Sequence, residues 1–323
     1  MSASPADDRR REKRGARSFV LYRAGSFVVG AVPRPIVILL ASVCGRVAAR
    51  LLPARRGVVR SNLSRVVGAI PAGEMDQLVR RAFVEYARYW MLAARLSGAL
   101  VRDRTRSVSI TGRSHYLDAL QHCGVIFAVP HVGLWDAGGL VSIIEGFPIA
   151  TVAEEASTPQ LTAWFARQRK RLGLDSYAPG AETTTALINL LRGNGAVALV
   201  ADRDVVGDGI AVPFFGEMTR VPAGPVVLAL RSGATILPSA VFLRPKGRIE
   251  VAIGAPLSVE RRGKLRDDVE RITTDLVARF EAIIRSAPEQ WHVFQPIWPI
   301  DDNSNFNDEV TAPGADHEGA PRS

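Results

Sequence analysis

The chain has 323 residues, 47% of them hydrophobic, a balance that supports a sizeable core and excludes a largely disordered protein. Its longest strongly apolar run, 35–45, falls well short of the ~20 residues that a membrane-spanning helix needs, which argues against an integral membrane protein. Forty-one Lys and Arg against 32 Asp and Glu leave a net charge of +9, which points to an anionic partner: lipid headgroups, nucleic acid or phosphorylated substrates.

Residues 1–17 are polar, basic and without periodicity, and read as a disordered tail. The apolar stretch that follows is interrupted by Arg23, Pro33 and Arg34 and offers no cleavage site, so it is read as a retained segment. Over 19–52 apolar faces are bordered by Arg23, Arg34, Arg46 and Arg50, and the helical pattern continues through Arg55, Arg56, Arg60 and Arg65. Such amphipathic helices lie on an anionic membrane surface, although packing on the domain's own core with solvated arginines fits the pattern equally. The spacing of Leu78, Phe83, Tyr86, Trp90 and Leu92 predicts one long helix over 75–99. Short apolar runs at 108–111, 124–129, 149–152, 197–201, 235–242 and 248–253 then alternate with helical stretches at 158–172, 182–192, 222–232 and 266–286. That alternation predicts an α/β fold with a mixed, largely parallel central sheet flanked by helices, preceded by N-terminal amphipathic helices. Residues 18–301 are read as a single domain, and 302–323 as a disordered acidic tail. Cys44 and Cys123 lack the spacing of a zinc site or a disulfide framework, so a reducing compartment and no metal are expected.

The segment most informative for chemistry is Ala128-Val-Pro-His131-Val-Gly-Leu-Trp-Asp136-Ala-Gly-Gly, where a buried strand gives way to a helix. Sites of open α/β sheets gather at the carboxyl ends of their strands. With Pro130 closing the strand, His131 falls in the turn and Asp136 about one turn into the helix, where its carboxylate reaches back to the imidazole. That makes His131 a general base and Asp136 its orienter, with helix-start N–H groups available for developing negative charge. Spacing alone favours a blander reading, a loop histidine bonded to backbone and a helix-start carboxylate. The strand-end position and the flanking Gly133, Gly138 and Gly139 raise the catalytic reading to parity with it.

H-x-x-x-x-D is also the motif of glycerolipid-type acyltransferases, and HVGLWD resembles the branch that contains lipid A and phosphatidylinositol mannoside acyltransferases. Arg60-Ser-Asn62-Leu63, Arg169-Lys-Arg-Leu-Gly173, Ala201-Asp-Arg-Asp204, Phe214-Phe-Gly216 with Pro222-Ala-Gly224-Pro225, and Pro288-Glu-Gln-Trp291-His292-Val-Phe-Gln295-Pro296-Ile-Trp298 resemble further elements of that branch, in order. The last segment resembles the mannoside enzymes more than the lipid A enzymes. The resemblance implies transfer of a long acyl chain, palmitoyl expected, from acyl-CoA to a mannose hydroxyl of a phosphatidylinositol mannoside. It also implies a peripheral enzyme at the cytoplasmic face of the plasma membrane that uses no cofactor beyond its co-substrate.

Other polar residues are candidates for substrate binding. Asp202 and Arg203 end another strand and are expected to converge on His131, Asp202 either binding sugar hydroxyls or supporting His131. Glu154, shortly after a strand, is a sugar-binding or site-supporting candidate. Arg169 is expected to bind a phosphate or to lock the site through a carboxylate, and Arg220 to meet an anionic headgroup or a CoA phosphate. Trp291 and His292 are read as core-packing aromatic residues rather than catalytic ones. A lipid A-type acyltransferase and a non-catalytic basic lipid-binding scaffold are the alternatives. Nucleic acid is not an expected partner, because no zinc-finger or RRM signature accompanies the charge.

Overall fold

The computed structural model describes residues 25–94, 108–154, 156, 158–204 and 207–298. Both expected tails lie outside the described residues. The chain opens with helical residues 25–31, then α1 (Arg34–Leu51), α2 (Pro53–Val67) and α3 (Ala72–Ala93). Prolines set two of these starts, because a ring with φ near −65° and no N–H fits the first turn of a helix and ends the one before it. The break at Leu52 turns α2 by 99° from α1.

The rest has the expected α/β fold. β1 (Val108–Thr111), α4 (Arg113–Leu120), β2 (Val125–Val129), α5 (Leu140–Glu145), β3 (Ile149–Val152), α6 (Pro159–Arg171), β4 (Leu174–Tyr177), α7 (Ala181–Arg192) and β5 (Ala196–Val200) follow in order. After a hairpin, β6 (Ile210–Phe214) and β7 (Glu217–Val221), come α8 (Gly224–Ser232), β8 (Thr235–Leu243), β9 (Ile249–Ile253) and α9 (Leu265–Ser286). Seven strands form one sheet in the order β1-β9-β8-β2-β5-β3-β4, parallel throughout except where β8 and β9 run antiparallel. All five residues of β2 are buried, as a central parallel strand covered on both faces requires. One core cluster runs from the sheet to α7, α8, α9 and the carboxyl-terminal tryptophans, and a second lies under α4, α5 and Tyr89.

Three elements escape the sequence pattern. β4 (LDSY) buries only Leu174 and shows no alternation, as befits an edge strand. The β6–β7 hairpin carries Pro213, which demotes a strand reading. Its tip is Phe214-Phe215-Gly216, with Phe215 at φ 51° and Gly216 at φ 82°, the left-handed pair of a tight hairpin turn. α4 is short and buries a single side chain, Tyr116, so its apolar periodicity is faint.

α1 is turned inside out relative to an ordinary surface helix. Its buried face consists of Val37, Ala41, Ser42, Gly45 and Ala49, whereas Ile36, Leu39, Leu40, Val43, Val47 and Leu51 are exposed. The small residues allow close approach to α3: a Cβ at Gly45 meets the Cα of Val84 at 2.5 Å and the carbonyl of Phe83 at 2.7 Å. Gly45→Ala is therefore expected to lower stability by ~1–3 kcal/mol through overpacking. Gly57→Ala, inside α2 with nothing within 4 Å of the added methyl, is expected to raise it by ~0.4–1 kcal/mol through reduced unfolded-state entropy. Denaturant unfolding of the two variants checks the pair; equal effects would refute the close α1–α3 crossing.

Candidate active site

The site follows from strand register. β2 and β5 are parallel neighbours with Val129 opposite Val200, and the ladder continues through the Ala201 amide, which donates to the Val129 carbonyl at 3.0 Å. Two residues beyond each strand stand His131 and Asp202, at the carboxyl edge of the sheet. The His131 Nδ1 lies 2.6 Å from Asp202 Oδ1, and the His131 amide donates to Oδ2 at 3.0 Å. Trp291 Nε1–H donates to the same Oδ2 at 2.8 Å. A carboxylate at Nδ1 fixes the tautomer: Nδ1 carries the proton and Nε2 keeps its lone pair. The Asp202 side chain is 0% exposed and the imidazole 21%, so the carboxylate is sealed while the ring reaches the surface of the site. Burial opposes the Asp202 charge, but His131 and the three N–H bonds outweigh it and hold the carboxyl below its ordinary range.

Asp136, expected to orient His131, is engaged elsewhere. Its Oδ1 accepts from Arg169 Nε at 3.1 Å and its Oδ2 from the Tyr89 hydroxyl at 3.1 Å. The reason lies in the turn between them. Gly133 reverses the chain at φ +62°, where a Cβ meets the Val241 carbonyl at 2.1 Å. Trp135 then packs edge-on to the imidazole at 5.1 Å and stacks at 4.1 Å on Tyr89, the phenol that bonds Asp136. Asp136 thus ties α3, α6 and the short 3-10 turn Trp135–Gly139 together behind the indole. Burial raises the Tyr89 phenol well above its usual value and the Asp136 charge raises it further, so Tyr89 remains a hydrogen-bond donor. The oxyanion role expected of the turn's amides is also narrowed. The Gly133, Leu134 and Ala137 N–H groups already donate to Gln290, Val241 and Leu134 carbonyls.

The carboxyl-terminal segment, read from sequence as packing, enters the site directly. Val132 pairs with Trp291 in an antiparallel bridge, and the His292 amide donates to the His131 carbonyl at 2.8 Å. Gln290 fastens the same segment to β8 by exchanging both amide bonds with the Leu243 backbone. The buried Asn62 amide of α2 donates at 3.0 Å to the carbonyls of both Val293 and Gln295. Phe214 and Phe215 of the hairpin tip each meet the Trp291 ring at 6.0 Å, backing the indole that bonds Asp202. A carboxylate two positions past the end of a strand carries no sequence signal for such a partner; the Trp291 contact spans 89 residues and only folding reveals it.

The remaining candidates divide. Arg203 follows Asp202 and is half-buried beside the site, and Arg169 reaches it through Asp136. Glu154 is exposed just past the carboxyl end of β3, on the same sheet edge, with no contact to His131 among the described residues. Arg220 is exposed on β7 and donates to the Gly209 carbonyl at the open end of its own hairpin, and it makes no contact with His131 among the described residues. No group of three or more His, Cys, Asp or Glu among the described residues has a metal-binding arrangement.

The family model for bacterial lipid A biosynthesis acyltransferases matches residues 8–299. The chain is 33% identical over 287 residues to the phosphatidylinositol mannoside acyltransferase of Mycolicibacterium smegmatis, covering 87% of this chain and 91% of that one. It is 33% identical over 252 residues to the phosphatidylinositol mannoside acyltransferase of Mycobacterium tuberculosis, covering 75% and 77%.

His292 gives the site a measurable pH signature. Burial, followed by the neighbouring His131, pushes its imidazole down to about 3. Its folded value is depressed, so between about pH 6.5 and 3 the unfolded chain binds the extra proton and stability falls as pH falls, by ~1.4 kcal/mol per unit. Wild type and His292→Gln, compared by urea unfolding at pH 7, 6 and 5, are expected to diverge below pH 6.5, the variant having the shallower slope. Parallel slopes would refute a buried neutral His292.

Proposed function

The chain belongs to the bacterial lipid A biosynthesis acyltransferase family, and from that membership we propose that it moves a long acyl chain, palmitoyl expected, from acyl-CoA to a mannose hydroxyl of a phosphatidylinositol mannoside. The single observation that carries the mechanism is the 2.6 Å contact between His131 Nδ1 and the sealed Asp202 carboxylate. His131 Nε2 takes the proton of the mannose hydroxyl as its oxygen attacks the thioester carbonyl. The tetrahedral intermediate collapses with cleavage of the C–S bond, and the imidazolium returns the proton to the departing CoA thiolate. Asp202 stays ionised and stabilises the imidazolium, because its surroundings already hold its carboxyl low. Asp136 positions Trp135 and α6 beside the base instead of touching it. The mannoside acceptor is supported by the relatives' names. The family's lipid A description supplies the second reading, in which the same base serves a lipid A precursor.

Peripheral attachment to the cytoplasmic face of the membrane completes the proposal. Its support is the exposed apolar face of α1, continued by Phe27 at 79% exposure and bordered by exposed Arg46, Arg50 and Arg56. No single helix among the described residues is long and apolar enough to cross a membrane, although α1 and α2 together form a bent pair that passes that test.

Two experiments test this reading. With purified protein, palmitoyl-CoA and mannoside or lipid A acceptors, product mass spectrometry should show transfer to the mannoside. His131→Ala and Asp202→Asn are each expected to lose ~10²–10⁴-fold in kcat, with Asp136→Asn losing less. An Asp136→Asn loss exceeding that of Asp202→Asn would reverse the assigned roles. In flotation assays, wild type should bind anionic vesicles more than neutral ones, with binding reduced by salt. Replacing Leu39, Leu40 and Val43 with Ser should abolish flotation, and undiminished binding would move the membrane surface elsewhere.

A further inference from the structure

Arg203 is a cation flanked in sequence by two carboxylates that are each committed to other groups. Its side chain is half-buried, and its Nε is buried without a hydrogen-bond partner among the described residues. Asp202, on one side, is consumed by His131 and Trp291. Asp204, on the other, accepts from the Gly207 amide at 2.8 Å and the Gly209 amide at 2.9 Å. A guanidinium cannot shed its charge, and a buried donor left unpaired costs ~1–3 kcal/mol. Arg169, by contrast, is satisfied by Asp136.

The place of Arg203 relates it to the reaction. It follows directly from the residue that orients His131, at the carboxyl end of β5. Burial raises the Tyr86 phenol, while the Arg203 and Arg55 charges draw it down, so both guanidinium groups stand within electrostatic reach of that ring. Tyr86 stacks on Phe294 at 4.2 Å and lies 5.6 Å from the His292 ring, on the α3 side of the site. Arg55, in the first turn of α2, comes shortly after Leu51 and Leu52, where the exposed apolar face of α1 ends. A lipid whose chains lay along that face would bring its phosphodiester toward the break between α1 and α2.

We propose that Arg203 is the phosphate-binding residue of the site, its planar fork taking a phosphate ester of a substrate while His131 acts on the hydroxyl. This rests on the acyl-transfer reading of the site. Two sources offer the same chemistry: the phosphodiester of the acceptor lipid and the phosphates of the CoA donor. That Arg203 and Arg55 both act on Tyr86, with Arg55 close after the end of the α1 apolar face, favours the acceptor.

Kinetics with four substrate pairs test it, using palmitoyl-CoA or a phosphate-free palmitoyl N-acetylcysteamine thioester with phosphatidylinositol mannoside or phosphate-free octyl mannoside. Arg203→Gln is expected to raise KM for phosphatidylinositol mannoside about tenfold or more with either donor, Arg203→Lys to recover part of it, and the phosphate-free pair to be spared. A rise confined to palmitoyl-CoA assigns the phosphate to the donor. Equal loss with all four pairs, or none, overturns the proposal. Calorimetric binding of dihexanoyl phosphatidylinositol and of coenzyme A decides it without turnover: unaltered binding of both to Arg203→Gln overturns it. Wild type that binds these probes but acylates no mannoside instead takes down the functional reading alone.

Discussion

The register of two parallel strands is the constraint on which the site depends. Val129 opposite Val200 carries His131 and Asp202 off the end of the sheet side by side, so the imidazole and its carboxylate are positioned by the centre of the sheet. A slip of one residue would turn Asp202 to the other face, since successive side chains of a strand alternate. Both strands sit deep in the sheet order, β5 between β2 and β3, which leaves no freedom for that slip. Pro130 then stops β2, because a residue without an N–H cannot extend the ladder, and the turn at Gly133 begins.

That turn is held from two sides. β8 accepts the Leu134 amide through Val241, and the carboxyl-terminal strap accepts and donates through Gln290 and His292. The strap is anchored in turn by Asn62 of α2, by Arg55 to the Phe294 carbonyl, and by a run of ring contacts from Phe83 and Tyr86 to Phe294. Through it the N-terminal helices and the hairpin tip are mechanically continuous with Asp202. Trp291 is the link: backed by Phe214 and Phe215, it donates its one N–H to the carboxylate that His131 needs. A buried indole N–H without an acceptor is costly, so the same bond satisfies the tryptophan and the aspartate together.

α1 resolves a conflict that composition leaves open. A helix with large apolar side chains outward and Ala41, Gly45 and Ala49 inward gains little from burying its own hydrophobic surface. Close backbone approach to α3 compensates through dispersion contacts, while the outward face remains available to an apolar medium. Arg46 and Arg50 of the same helix, and Arg56 shortly after it, are exposed as well.

The sequence by itself determined the α/β architecture, since strand and helix periodicities differ and the short apolar runs could be buried only in a covered, mostly parallel sheet. It also determined that His131 stands at a strand end, because Gly124 and Pro130 bracket a fully apolar run, and it brought Asp202 and Arg203 to a second strand end by the same reasoning. Where local spacing pointed to Asp136 as the carboxylate facing the imidazole, the structure puts Asp202 there. Asp136 is near in sequence, but beyond the glycine turn it bonds Arg169 and Tyr89, whereas Asp202 is 71 residues distant and arrives through strand pairing. Trp291 is likewise invisible as a site residue, for its role depends on a chain crossing that no local pattern encodes. Periodicity records which face of an element is buried; strand order and register, which decide who meets whom, are properties of the packed sheet, and here they alone chose the partner of His131.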